Sequence, residues 1–212
     1  MIVYGAWIFT PFLAPLFMRL GWEGAAKVIY SIYSFFCHQL PERSYFFFGP
    51  KLSYSLSEIQ AVWENTSNPL ILRRFIGTPE MGWKVAWSDR MISFYGGLWL
   101  SALLWYPLRN RIKNLHPLWM GIFLIPITVD GLTHMVSDFA GVGLGFRDAN
   151  LWLANLTNFA FSHSFYTGDA LGSFNSWVRI ITGLIAGLGI VWFVFPFINQ
   201  AYSIPFKEGK EK

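Results

Sequence analysis

Charge is scarce in this sequence. Of 212 residues only 13% are Asp, Glu, Lys or Arg, while 54% are hydrophobic and 19% aromatic. Soluble domains carry about 25% charged residues, so this chain cannot cover a globular surface with charge. Its formal net charge of +4 is small and scattered, which excludes the dense basic face of a nucleic-acid binder. Cys37 is the only cysteine, so an intramolecular disulfide and a cysteine-only metal site are both excluded. Internal repeats and low-complexity segments are absent. The N-terminal run lacks a basic leading segment and carries Pro11 and Pro15, so it reads as a retained span, not a cleaved signal peptide.

What is present is clustered apolar sequence. A helix needs about 20 apolar residues to cross the hydrocarbon, and residues 91–107, 115–135 and 177–202 meet that need. Residues 3–18 and 24–36 are apolar but short, interrupted by Arg19, Gly21, Trp22, Glu23 and Lys27. They form either a hairpin of two spans or one span plus an interfacial helix; the hairpin is the favoured expectation. The fold class is therefore all-α: one polytopic transmembrane helical bundle of four to five spans over residues 1–212. Arg109, Arg111 and Lys113 in a short connection, and Lys207, Lys210 and Lys212 in the tail 203–212, mark the cytoplasmic side. With five spans, Arg19 and Lys27 join that side and the C-terminus is cytoplasmic. The connections 41–90 and 136–176 then lie outside.

Both connections are rich in aromatic, Gly, Pro and charged residues, which suits a folded cap on the membrane surface. Ser55 and Glu58 have capping-box spacing, so a short helix starts there. The segment "NLWLANLTNFAF" suits an interfacial helix with Trp152 near the headgroups.

Ionisable residues inside spans mark a site or a paired contact. In "ITVDGLTHMVSDFAG", Asp130, His134 and Asp138 recur every fourth residue, one face of a helix. With His38 they could ligate a divalent metal such as Zn²⁺; His134, Asp130 and His38 are also the candidate catalytic groups. The alternative is an Asp–His hydrogen bond with ion pairs to Arg90, Arg147 or Arg179. Arg43, Arg90, Arg147 and Arg179, with Asn175 one turn before Arg179, could bind a lipid or polyprenyl phosphate. The alternative pairs the arginines with Asp89, Asp130, Asp138, Asp148 and Asp169. Cys37 and His38 point about 100° apart on a helix, so they make a poor nucleophile pair. Gly183 and Gly187 form a small-residue face for close helix packing.

Three elements together resemble a family of predicted prokaryotic membrane proteins, domain of unknown function 2085. They are Cys37-His38-Gln39 with Arg43-Ser44; Asp130-Gly131; and Asn175, Arg179, Thr182, Gly183 and Gly187 at their spacing. The stretch 51–84 looks like an insertion. The resemblance implies a Cys-x-Arg-Cys-Thr-Gly-x-Tyr-x-Gly element at the start of the next span. Here Arg90, Tyr95 and Gly97 match, but Ser88 and Met91 replace the cysteines, so a thiol-rich centre cannot form. The resemblance implies membrane class and the place of a site, without a reaction.

The expected function is thus a membrane protein with a polar, metal- or anion-binding site at the outer face. As an enzyme it would hydrolyse or transfer a lipid or isoprenoid phosphate. A non-catalytic subunit with membrane-protein partners and a small transporter with a proton relay are the rival classes. Membrane lipid is the expected contact, and nucleic acid is not.

Overall fold

The protein is described by a computed structural model covering residues 2–111 and 116–203. Lys113, Lys207, Lys210 and Lys212, four of the six residues that mark the cytoplasmic side, lie outside the described residues. The chain opens with α1 (Ile2–Phe9) and α2 (Leu13–Arg19), joined by a 3₁₀ turn at Thr10–Phe12. Pro11 falls in that turn and Pro15 in the first turn of α2, where a missing N–H costs least. Then come α3 (Glu23–Tyr33), β1 (Ser44–Phe47), α4 (Leu56–Val62), α5 (Pro69–Leu72), β2 (Gly77–Thr78) and β3 (Gly82–Ser88). α6 (Asp89–Leu108) and α7 (Pro117–Asp138) follow, then the short α8 (Phe146–Ala149), α9 (Leu151–Leu156) and α10 (His163–Tyr166), and finally α11 (Phe174–Ser203).

Among the described residues four helices are long and apolar enough to cross a membrane: Ile2–Arg19, Asp89–Leu108, Pro117–Asp138 and Phe174–Ala201. The bundle is therefore helical with four candidate spans. The favoured two-span hairpin is corrected. α3 has 11 residues, about 16 Å at 1.5 Å per residue, against hydrocarbon about 30 Å thick. Moreover Lys27 and Arg73 line one cleft, whereas the five-span scheme puts them on opposite membrane faces.

α11 packs most extensively on α6 and next on α7. A Cβ at Gly183 would lie 2.2 Å from Ser93 Oγ, and one at Gly187 would lie 2.7 Å from Leu98 N. Close approach of α6 and α11 thus requires both glycines, as the small-residue face implies.

The sequence reading contained no strands, yet β1, β3 and β2 form an antiparallel sheet with β3 central. Lys84 sits mid-strand and fully buried. Its Nζ donates to Gln39 O at 2.6 Å and Arg73 O at 2.7 Å, so its polar head is satisfied. The sheet packs on α2 and α3 around Trp87, Tyr33, Val85 and Ala26. Ser55 caps α4 through the capping box, with Ser55 N donating to Glu58 Oε2 at 2.9 Å.

β3 runs directly into α6, and Ser44 pairs with Ser88 across the sheet. That register brings Arg43 to the mouth of the spans beside Asp89 and Arg90.

Candidate functional site

Three span ends meet at this mouth: the start of α6, the end of α7 and the start of α11. α7 is one helix through Asp138, so Asp130, His134 and Asp138 do share a face. Asp130 and His134 are each 2% exposed. Intramembrane charge of this kind requires partners, and the partners are arginines.

Asp130 accepts from Arg90 Nη2 at 2.6 Å and from Arg147 Nη2 at 3.0 Å. Arg43 straddles Asp138 with both Nη atoms at 2.7 Å, and its Nε donates to Asp169 at 2.8 Å. Arg179 donates to Asp169 Oδ1 at 2.5 Å and to Asp89 at 2.8–3.0 Å. Four arginines thus meet four aspartates, and the lattice is neutral in formal charge. His134 lies in its middle. Nδ1 is 3.2 Å from Asp130 Oδ1 and 3.3 Å from Arg90 Nη2; Nε2 is 3.2 Å from Asp169 Oδ1 and 3.4 Å from Arg179 Nη1. Each ring nitrogen can therefore donate to a carboxylate or accept from a guanidinium, so either tautomer is satisfied.

Outside the spans, two members carry resolved shifts. Burial pushes the Asp169 carboxyl up, but Arg43 and Arg179 pull it well below the usual carboxylate range. Burial works against the Arg43 cation, and Asp169 and Asp138 more than offset it. The ion pairs, not the solvent, hold both groups charged.

Donor capacity separates the arginines. Arg179 is 1% exposed and spends four N–H groups on Asp89 twice, on Asp169 Oδ1 and on Asp169 O at 2.6 Å, while the fifth faces His134 Nε2. Asn175 is fully buried; its Nδ2 donates to Arg147 O and Gly168 O, and its Oδ1 accepts from Arg147 and Asn150. Arg90 is different: its buried Nε has no hydrogen-bond partner among the described residues. Arg147 spends four donors on Asn175 twice, Asp130 and Thr133, leaving one Nη1 hydrogen.

An apolar groove of about 520 Å³ runs between α7 and α11 toward the lattice. Ile125, Val129, Phe146, Trp152, Phe174 and Val178 wall it, and Asp130, Thr133 and Arg147 supply its polar lining.

Of the proposed metal ligands, Asp130, His134 and Asp138 are brought into the lattice, but His38 is not. It is exposed, with no hydrogen bond to the lattice among the described residues. Its neighbours turn inward instead: Gln39, at φ +54°, donates from Nε2 to Tyr30 O at 2.9 Å. No group of three or more His, Cys, Asp or Glu arranged to hold a metal occurs among the described residues, because arginines occupy the carboxylates. Cys37 is buried, and its Sγ lies 3.5 Å from Ser88 Oγ and accepts from Ser88 N at 3.4 Å.

Asp89 and Asp169 belong to the lattice although the sequence offered them only as ion-pair partners, and Arg147, offered as a partner or a phosphate ligand, joins them. Asp169 lies in an irregular Gly-Ser loop without periodicity, and only the fold shows its place. Asp148, another expected partner, instead accepts from Gly145 N at 2.8 Å.

The chain is 25% identical over 204 residues to the uncharacterized protein MJ1492 of Methanocaldococcus jannaschii, covering 92% of this chain and 88% of that relative. No solved structure matches it. Residues 80–193 hold β3, the three spans that build the lattice and the second connection. They match the model of the family described as predicted membrane protein (DUF2085), and since they are more than half of the chain, it belongs to that family.

Proposed function

We propose that this membrane protein binds an amphiphile with a phosphate head, its chain in the groove between α7 and α11 and its head at Arg147 and Thr133. The carrying observation is that an otherwise apolar groove reaches Asp130, Thr133 and Arg147. Apolar walls favour a hydrocarbon chain, and the spare Arg147 donor suits an anionic oxygen, which the Thr133 hydroxyl can join by turning its O–H away from Val129 O. A lipid or isoprenoid phosphate combines these features. Hydrolysis or transfer at the phosphate is the reaction class to test, with Asp130 and His134 as the base pair.

A membrane-crossing proton relay is disfavoured. α6 beyond Arg90, α7 before Asp130 and α11 beyond Arg179 carry no Asp, Glu, Lys, Arg or His. The ionisable groups therefore form one layer at one end of the spans. Arg109 and Arg111 favour the cytoplasm for the opposite end, which puts the lattice and both connections outside.

Equilibrium binding of radiolabelled farnesyl phosphate to the detergent-purified protein tests the reading, with farnesol for comparison. We expect saturable binding of the phosphate alone, reduced at least tenfold by Val129→Trp, which fills the groove. Equal binding of farnesol, or an unaffected Val129→Trp protein, would overturn it. Release of inorganic phosphate from the same probe reads out hydrolysis. The neutral pairing of four arginines with four aspartates favours a second reading, a non-catalytic subunit in which the lattice only clamps the fold. Stoichiometric co-purification of another membrane protein, without phosphate binding, would select it.

A further inference from the structure

A second cavity, of about 570 Å³, lies away from the lattice between α3 and α5. Lys27, Arg73 and Arg74 line it with Ser31, Ser34 and Gln39, and no carboxylate is among its lining residues. Three cations with two hydroxyls and no acid are the chemistry of a phosphate site. Its frame is fixed: Arg73 Nη2 donates to Ser34 O at 3.1 Å, and the buried Lys84 ties Arg73 O to Gln39 O. Arg74 is exposed, and its side chain makes no hydrogen bond among the described residues. Among the described residues Lys27 pairs only with exposed Glu23, at 2.9 Å, a contact a stronger anion can displace at little cost.

The helix beside the cavity indicates where that phosphate comes from. At about 100° per residue, α3 and the turn after it present three faces. Ala26, Ile29, Tyr30 and Tyr33 are buried in the core. Lys27, Ser31 and Ser34 face the cavity. Val28, Ile32, Phe35 and Phe36 are exposed, at 57%, 47%, 87% and 49%. An exposed apolar stripe adjoining a cationic one is the pattern of a helix lying in the membrane interface. The acyl chains of a lipid can lie on that stripe while its phosphate enters the cavity.

We propose that the cavity between α3 and α5 binds the phosphate of an anionic glycerophospholipid, and so seats α3 on the membrane surface. This site is separate from the groove and does not depend on it. Delipidated protein in detergent is titrated with dioleoylphosphatidylglycerol, dioleoylphosphatidylcholine or inorganic phosphate, and bound lipid is counted by native mass spectrometry. The phosphatidylglycerol should bind as a retained equivalent that phosphatidylcholine does not replace. Arg73→Gln with Arg74→Gln should weaken it roughly 30-fold, about tenfold or less per cation removed. Ser31→Glu, an exposed change that deletes no side-chain hydrogen bond, should weaken it comparably and covers the case that the double variant misfolds. Undiminished binding to folded Ser31→Glu protein, equal binding of phosphatidylcholine, or equally tight binding of inorganic phosphate would each overturn the proposal. Val129→Trp, in the groove, should leave this binding unchanged.

Discussion

Asp169 is held between Arg179 on α11 and Arg43 beside β1, at 2.5 and 2.8 Å. One carboxylate in the second connection thereby joins the last span to the first connection. Replacing it with Asn keeps the shape and removes the charge, leaving two buried guanidiniums short of a partner. Breaking a buried ion pair from one side costs about 3–5 kcal/mol. Asp169→Asn should therefore lower the thermal unfolding midpoint sharply in detergent. Glu23→Gln, which breaks the exposed pair with Lys27, should change it by less than about 1 kcal/mol. Similar midpoints for the two variants would show that the lattice does not hold the fold.

The α6–α11 contact makes an equally sharp prediction. A side chain at Gly187 meets backbone, with Leu98 N at 2.7 Å and Phe94 O at 2.9 Å, and a backbone cannot rotate away. Gly187→Val should cost about 1–3 kcal/mol or more and reduce the yield of folded protein. Gly96→Ala, on α6 with nothing within 4 Å of the added carbon, should be neutral or slightly stabilising. Thermal unfolding of both variants checks the pair.

Glu42 carries a pH signature. It is 2% exposed, and both carboxylate oxygens lack a hydrogen-bond partner among the described residues. Burial pushes its carboxyl up to about 7, with Arg43 and Lys84 pulling against the rise. The folded protein thus holds a proton that the unfolded chain releases near pH 4.3. Stability from this group is complete below the unfolded value and is lost as pH rises toward 7. Glu42→Gln, permanently neutral, should flatten that decline between pH 5 and 7. Unfolding midpoints across this range in wild type and variant provide the measurement; parallel curves would refute the assignment.

Much of this was legible in the sequence because lipid imposes simple rules. Span length, the shared face of Asp130, His134 and Asp138, and the glycine approach all follow from helical periodicity and hydropathy. The sheet was hidden because its strands are short and its central strand buries a lysine, satisfied by two carbonyls far apart in sequence. His38 does not join the lattice because a place at the outer end of an apolar segment does not say which way a side chain points. Gln39 at positive φ turns the chain, so that Cys37 and Gln39 point inward while His38 stays outside. Asp169 was offered only as a partner because no period marks a loop residue, and three-dimensional closure alone shows what it pairs.

Cys37 and Ser88 give the last test, because the family resemblance implies a cysteine where Ser88 stands. The two side chains already meet, with Sγ 3.5 Å from Oγ, although 51 residues separate them. A thiol at position 88 would need to approach within about 2.04 Å to form a disulfide, a modest adjustment from van der Waals contact. Ser88→Cys protein should therefore oxidise to an intramolecular disulfide, seen as the loss of two hydrogens by intact mass and as protection from alkylation. Cys37→Ser in the same background should abolish both signals. Such a bond would tie the turn after α3 to the end of β3, two residues from Arg90, and should raise the thermal midpoint if its geometry is unstrained. Two freely alkylated thiols after oxidation would instead mean that positions 37 and 88 do not meet in the folded protein, and the placement of the turn after α3 against the end of β3 would have to be redrawn.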